Sequence, residues 1–416
     1  ADRSFILDVL LLFRPGIVRP PQRISITNTI PMWRNYLTIG WRNLRRNRGY
    51  SLINVGGLTI GMAVALFLGL WVYDELSFDR YHAQYDRTAR IIQNITNNGV
   101  VETWRNLPYP LADELRQHYA DDFELIAMST GIGTYLMEVE GERSERQGGY
   151  YEPGAPAVLG LTMMQGTDAL DDPKSILLAA ATAKALFGES DALGRPLKLE
   201  GVDYKVAGIY ADLPANSTFA RVAFMAPWKT FYNNEGLKEW EDPWRPNGFH
   251  IWVRLKPNAD PARVSDRIKE AVLKNLSEQL ALKQPQLFLF PMSDWHLRSE
   301  FKNGVNTGGA IQYVWLFGLT GVIVLMLACI NFMNLSTAQS EKRSREVGIR
   351  KAMGSLRGQL VSQFFVEAIL IAVVALGMAL VVVQLFLPAF NLLVNKQLVI
   401  PWMNIQFVLV ILGFTL

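Results

Sequence analysis

The chain has 416 residues, of which 50% are hydrophobic and 19% charged, with a formal net charge of +3. Soluble domains carry about 25% charged residues, so this composition leans towards a membrane protein. It is too apolar for a disordered chain and too nearly neutral for a dedicated nucleic-acid binder. One cysteine, Cys329, allows no internal disulfide, and four histidines scattered at positions 82, 118, 250 and 296 argue against a metal site. No cofactor is expected.

Residues 1–31 hold a short apolar stretch, Phe5 to Phe13, interrupted by Asp8 and followed by Arg14, Pro15, Arg19 and Pro20. It is too short to span a bilayer and lacks the layout of a signal peptide. It is read as a tail, with Met32 as the natural start. In residues 32–49, Trp33, Tyr36, Leu37, Gly40, Trp41 and Leu44 fall on one stripe of a helix, with Arg34, Arg42, Arg45, Arg46 and Arg48 around it. A basic amphipathic helix of this kind suits the headgroup layer of an anionic membrane face.

Residues 50–73 are expected to form a first span, since Leu52 to Tyr73 carries no charged side chain. Gly57 and Gly61 stand four apart, a spacing that lets two membrane helices approach closely. They are the expected packing surface against a second span, with Ala328 and Ser336 as small residues opposite. Residues 74–310 form a long polar segment. A second span covers 311–335, a basic segment 336–362, and a third span 363–387, with Glu367 near its start and Pro388 ending it. A short external loop, 388–402, leads to the start of a fourth span, 403–416, cut off by the chain end.

Orientation follows from charge. Residues 32–49 carry five arginines and no acid, and the segment after span two carries Lys342, Arg343, Arg345, Arg350, Lys351 and Arg357. By contrast, residues 74–310 hold 33 acidic against 25 basic side chains. Lys and Arg mark the cytoplasmic side, so both short segments lie inside and the long one outside.

Within the external segment, Ser77 to Ile92 reads as a helix continuing out of span one, and Ser175 to Ala181 as a strand. Thr182 to Phe187 reads as a short helix closed by Gly188. Pro196–Glu200 and Tyr204–Tyr210 form a hairpin signal around Gly201, Phe249–Leu255 another strand, and Pro261–Leu280 a helix. The fold class expected is a membrane α-helical protein of four spans, the last truncated, with a large α+β extracytoplasmic domain inserted between spans one and two.

Catalytic motifs are missing: no P-loop, G-x-S-x-G or H-E-x-x-H pattern occurs. Asp121, Asp122 and Glu124, or Asp171 and Asp172, read as solvated surface charge. Asn331 and Asn334 read as interhelical glue, and Glu367 as a partly hydrated interfacial carboxylate. The most specific stretch runs from Ser340 to Ser355. On charge alone it is a basic juxtamembrane segment suited to lipid headgroups, with Val347, Ile349 and Met353 free to face a partner.

The run R-E-V-G-I-R-K-A-M-G-S, Arg345 to Ser355, resembles the signature of FtsX-like permease domains of ABC transporters. There the segment after the second span includes the contact surface for a separate ATPase subunit. The run N-x-x-R-N-x-x-x-S-x-I-N-V-x-G-L-x-I-G-M, Asn43 to Met62, resembles the first span of MacB-like permeases. S-F-D-R-Y-H (Ser77 to His82), D-R-T-A-R-I (Asp86 to Ile91) and the segments 175–188, 194–213 and 214–219 resemble the MacB-like periplasmic core domain. The resemblance covers residues 33–416. It implies a permease that is no enzyme itself and couples an ATPase in trans to a periplasmic domain through Arg345, Glu346, Gly348, Arg350, Lys351 and Gly354. It further implies a bacterial inner-membrane location, a second permease half or subunit, contact with membrane lipid, and room for periplasmic partner proteins, with no nucleic acid. The competing reading is a receptor or sensor with an extracytoplasmic ligand-binding domain; against it, no kinase, methylation or HAMP-like region follows span two.

Overall fold

A computed structural model of the chain describes residues 38–415 apart from 43, 47, 189 and 354–356; the side chains at 340–343, 345, 346, 350 and 414 lie outside the description as well. The tail at 1–31, the amphipathic residues 33–37 and Gly354 therefore fall outside the described residues. Contacts divide the chain into two units: residues 1–68, 320–393 and 399–416 form one, and 69–319 with 394–398 the other.

The first unit is helical. Residues 38–42 and 44–46 are helical, with Arg42, Arg45 and Arg46 exposed. Three helices are long and apolar enough to cross a membrane: Arg48–Leu76, Ile311–Gln339 (the apolar part of Ile311–Ala352) and Arg357–Val394. Helices suit such stretches because every backbone polar group is satisfied within the segment. The third helix runs through Pro388 to Val394 instead of ending there. A proline removes one amide from the ladder, and membrane helices tolerate this where neighbours compensate. Six of its buried side chains, Glu367, Ile371, Ala375, Ala379, Val383 and Leu387, recur every four residues as one stripe, flanked by buried Val366 and Leu376. The fourth apolar stretch forms the helix Ile405–Thr415.

Span one packs on both other spans. Gly57 and Gly61 face span two, while Thr59 Oγ1 donates to the Ala375 carbonyl of span three at 3.4 Å. Phe67 meets Phe390 of span three at 4.8 Å between ring centroids.

The second unit is α+β. Its strands are β1 (Thr88–Asn97), β2 (Val100–Trp104), β3 (Phe123–Ser129), β4 (Gly133–Val139), β5 (Glu142–Tyr151), β6 (Met163–Gly166), β7 (Ser175–Ala179), β8 (Pro196–Leu199), β9 (Val202–Tyr210), β10 (Phe224–Pro227), β11 (His250–Leu255), β12 (Gln286–Pro291), β13 (Glu300–Lys302) and β14 (Val305–Gly308). One part orders β3-β11-β1-β12, all antiparallel, with β2 on β1. Helices Leu111–His118, between β1 and β3, and Pro261–Ile268, between β11 and β12, cover one face. This is the split β-α-β-β-α-β arrangement. Its core holds Ile91, Ile251, Val253, Leu111, Leu115, Val264 and Ile268. The other part is inserted between β3 and β11. Its strands run β10-β7-β9-β8-β4-β5, and β10 pairs back onto β5 in parallel, closing a ring around Met137, Ile176, Leu197, Tyr204, Val206 and Phe224.

Several expectations change. The first span helix stops at Leu76, turns follow in which Asp79 takes a left-handed conformation (φ 60°), and residues 88–97 form β1. Thr88, Ile91, Ile92, Ile95 and Thr96 are β-branched, which favours a strand, and β1 is paired on both sides. The helix expected over 261–280 ends at Ile268 and gives way to short turns at 273–275 and 278–281. The strand at Ser175–Ala179, the helix ending at Phe187 with Gly188 after it, and the β8–β9 hairpin stand close to where the sequence puts them.

Candidate functional site

The R-E-V-G-I-R-K-A stretch is built as the end of the second span helix. Ile311–Ala352 is one helix of 42 residues. At about 1.5 Å per residue it is roughly 63 Å long, about twice the 30 Å hydrocarbon core. Beyond its apolar part it extends 13 residues rich in charge, Ser340 to Ala352. Arg345, Glu346 and Arg350 lie on this extension; Gly348 and Lys351 are exposed. Glu346 and Arg350 are one turn apart with the acid first, the favourable order for a helical ion pair. Ile349 (59% exposed) and Met353 (75%) stand side by side at four-residue spacing. The end of the helix thus offers two bare apolar side chains within a charge-rich stretch of sequence.

Gly57 and Gly61 lie against span two. A Cβ on Gly61 would fall well inside 3.0 Å of the Ala328 Cβ, closer than real Cβ atoms approach, and one on Gly57 would stand 3.1 Å from Asn331 Nδ2. Gly56 has nothing within 4 Å. Ser336, the other small residue, lies 3.4 Å from the Tyr50 hydroxyl, which accepts from Asn54 Nδ2 at 2.8 Å.

Sequence reasoning did not find the ion cluster at the outer end of span one. Glu75, 5% exposed, is bonded by His296 Nε2 and by Lys396 Nζ at 2.7 Å, and Lys396 also pairs with Asp74. The His296 ring stacks on Phe78 at 3.6 Å, and the Lys396 ammonium lies 5.9 Å from the Trp71 ring. A carboxylate this buried needs compensating charge, and Lys396 is the one charged residue between Pro388 and Trp402. That isolation was a signal in the sequence; its partner was not legible. The cluster ties together the exit of span one, the segment after β12 and the loop after span three.

Two stretches quoted for the family resemblance meet in a second buried cluster. Asp79 accepts from Thr218 N and Thr218 Oγ1, both at 2.6 Å, and its own amide donates to the Asn216 carbonyl at 2.8 Å. His82 Nδ1 lies 2.7 Å from the Leu159 carbonyl, which assigns the proton to Nδ1, so Nε2 accepts from Ser217 Oγ at 3.0 Å. Asp, His and Ser are together, yet this is no nucleophilic triad. The nearest Asp79 oxygen stands 3.8 Å from the same Nε2 that Ser217 uses, so it cannot orient the ring from the far side. All three are at most 4% exposed. The cluster is a clamp on the chain leaving span one. Among the described residues, no group of three His, Cys, Asp or Glu could hold a metal ion.

Comparison with known proteins agrees with this layout. The family model for the MacB-like periplasmic core domain matches residues 51–271, more than half of the chain, and that for the FtsX-like permease C-terminal region matches 318–416. The macrolide export ATP-binding/permease protein MacB of Escherichia coli is 28% identical over 54% of this chain and 32% of its own length. That of Escherichia coli strain K12 is 22% identical over 90% of this chain and 60% of its own length. The chain thus spans about a third to three fifths of the relatives it matches. Among solved structures, a domain of a permease protein from Porphyromonas gingivalis is similar at TM-score 0.44 and 20% identity, covering 50% of this chain and 91% of that one. The periplasmic region of MacB from Actinobacillus actinomycetemcomitans follows at TM-score 0.38 and 16% identity, covering 51% and 91%. On the two family matches, the chain belongs to the MacB/FtsX-like family of ABC transporter permeases.

Proposed function

We propose that the chain is the membrane-spanning subunit of an ABC transporter, coupling ATP hydrolysis by a separate ATPase chain to motion of its extracytoplasmic domain. The observation that carries this reading is the unbroken helix Ile311–Ala352, whose last turns hold the R-E-V-G-I-R-K-A stretch. A continuous hydrogen-bonded helix passes on a push or a twist applied at one end, whereas a jointed one absorbs it. In this reading Arg345, Glu346, Gly348, Arg350, Lys351 and Gly354 contact the ATPase, with Ile349 and Met353 as apolar anchors. Residues 32–49 and 339–358 are cytoplasmic, and 74–310 lie in the periplasm of a bacterial inner membrane. Span one follows span two through Gly57 and Gly61. A second permease half or subunit supplies the other docking surface of the ATPase dimer, and export or extraction of a substrate follows from the domain motion.

Glu346→Lys combined with Arg350→Glu tests the docking surface. Charge at such a contact acts through complementarity to the partner, so the double variant is expected to insert normally yet lose ATPase pull-down and coupled hydrolysis. Retention of both, with equal expression, places the ATPase elsewhere.

A further inference from the structure

The face of the β3-β11-β1-β12 sheet without the two helices carries an unbalanced positive charge. Arg90 on β1 lies opposite Trp252 on β11, with its guanidinium carbon 5.1 Å from the Trp252 ring centroid. Its Nη2 donates to His250 Nδ1 and, at 3.0 Å, to the Arg105 carbonyl. His250 must therefore be neutral, its proton on Nε2, and burial together with Arg90 pulls its pKa down to about 3. Burial and Arg105 pull Arg90 down to about 9, which leaves it charged at neutral pH. Its Nε is buried and without a hydrogen-bond partner.

Neither Arg90 nor Arg105 forms an ion pair with a carboxylate among the described residues; their partners are a ring, a neutral imidazole and backbone carbonyls. The nearby Glu102 carboxylate is already engaged by Asn97 and the Trp104 indole. Arg90 is half-buried and Arg105 exposed, and the two neighbouring guanidiniums have no acid between them.

Arg105 lines an open surface depression of about 580 Å³ together with Thr103, Trp104, Asn106, Asn247, Ser299 and Phe301. Its walls are held in place from behind. Arg105 Nη2 donates to the Ser299 carbonyl at 2.9 Å, and buried Gln93 donates to Asn247 Oδ1 at 2.9 Å and to the Asn106 carbonyl at 3.2 Å. Arg105 is exposed and retains further donors. A guanidinium fork matches an oxyanion, and a second fixed charge behind it strengthens the attraction.

We propose that this depression binds a small polar molecule through a phosphate or carboxylate group, with Arg105 as the contacting residue and half-buried Arg90 as the charge behind it. Asn106 and Asn247 supply hydrogen bonds to the polar body, and Trp104 and Phe301 bound it. The oxyanion belongs either to a free solute or to a lipid headgroup.

The test uses the full chain in phosphatidylcholine nanodiscs, titrated calorimetrically with glycerol 3-phosphate and, as control, glycerol. Glycerol 3-phosphate is expected to bind and glycerol not. Arg105→Gln is expected to lower affinity at least tenfold with an unchanged melting temperature, since Arg105 is exposed. Arg143→Gln, a distant exposed arginine, is expected to stay within twofold of wild type. In nanodiscs containing phosphatidylglycerol, occupancy by the lipid headgroup shows as Arg105-dependent loss of glycerol 3-phosphate binding; undiminished binding assigns the site to a free solute. Equal binding of glycerol, equal affinity of Arg105→Gln, or an equal loss in Arg143→Gln overturns the proposal.

Discussion

Replacing Gly61 by leucine tests whether span one moves with span two. Carbon atoms settle at about 3.5–4.0 Å, whereas the first side-chain carbon at position 61 would stand within 3.0 Å of the Ala328 Cβ. The helices must then separate by at least about 0.5–1 Å before the rest of the leucine is accommodated. Overpacking of this kind typically costs about 1–3 kcal/mol. Leucine partitions into the bilayer better than glycine, so insertion is expected to be unimpaired and the loss to appear in the helix contact. Gly56→Leu is the internal control, because Gly56 has open space around it. In nanodiscs with the proposed ATPase partner, Gly61→Leu is expected to lower the melting temperature and the coupled ATPase rate, and Gly56→Leu to change neither. Adding Ala328→Gly to Gly61→Ala is expected to restore part of what Gly61→Ala loses. Equal behaviour of Gly61→Leu and Gly56→Leu would refute close packing as the reason for the glycine.

Three further outcomes follow from the geometry. On a Cys329→Ser background, a cysteine at exposed Lys198 is expected to react with an impermeant thiol reagent in spheroplasts and one at exposed Ser344 not to; the reverse pattern rejects the orientation. Lys396→Ala leaves buried Glu75 with His296 alone. It is expected to cost about 2 kcal/mol, less than the 3–5 kcal/mol of a fully buried pair, and to lower coupled activity; Lys396→Arg should recover most of both, and an Ala variant with unchanged melting and coupling denies the cluster a role. His250 has its folded pKa near 3, below the unfolded value of about 6.5, so the unfolded state takes up the proton first. Stability of the extracytoplasmic unit is therefore expected to fall as pH drops below about 6.5, by up to about 1.4 kcal/mol per pH unit. His250→Gln should flatten that slope in melting curves between pH 7 and 5, and an unchanged slope would assign it to other groups.

The sequence by itself determined the features that depend on neighbouring residues. Three apolar runs predict the three long helices, since a segment that satisfies its own backbone needs no partner to be recognised. The sharp separation of basic and acidic segments predicts an orientation, because that rule acts on local charge counts. Gly188 after Phe187 and the Glu200-Gly201 turn, with φ of 48° and 78°, are likewise local.

Tertiary structure decided whatever rests on distant partners. Residues 77–92 follow a membrane helix and look like its continuation. They turn and enter β1, two of whose three partner strands lie some 160 to 200 residues further on. The closure of β10 onto β5 and the pairing of Lys396 with Glu75 and Asp74 are of the same kind. So is the meeting of Arg90 with His250. Each joins groups whose sequence surroundings do not name the partner, and whose energy comes from burial beside one another. Hydropathy and turn chemistry can be read one window at a time; the charge state of a buried side chain depends on which residues the fold places around it.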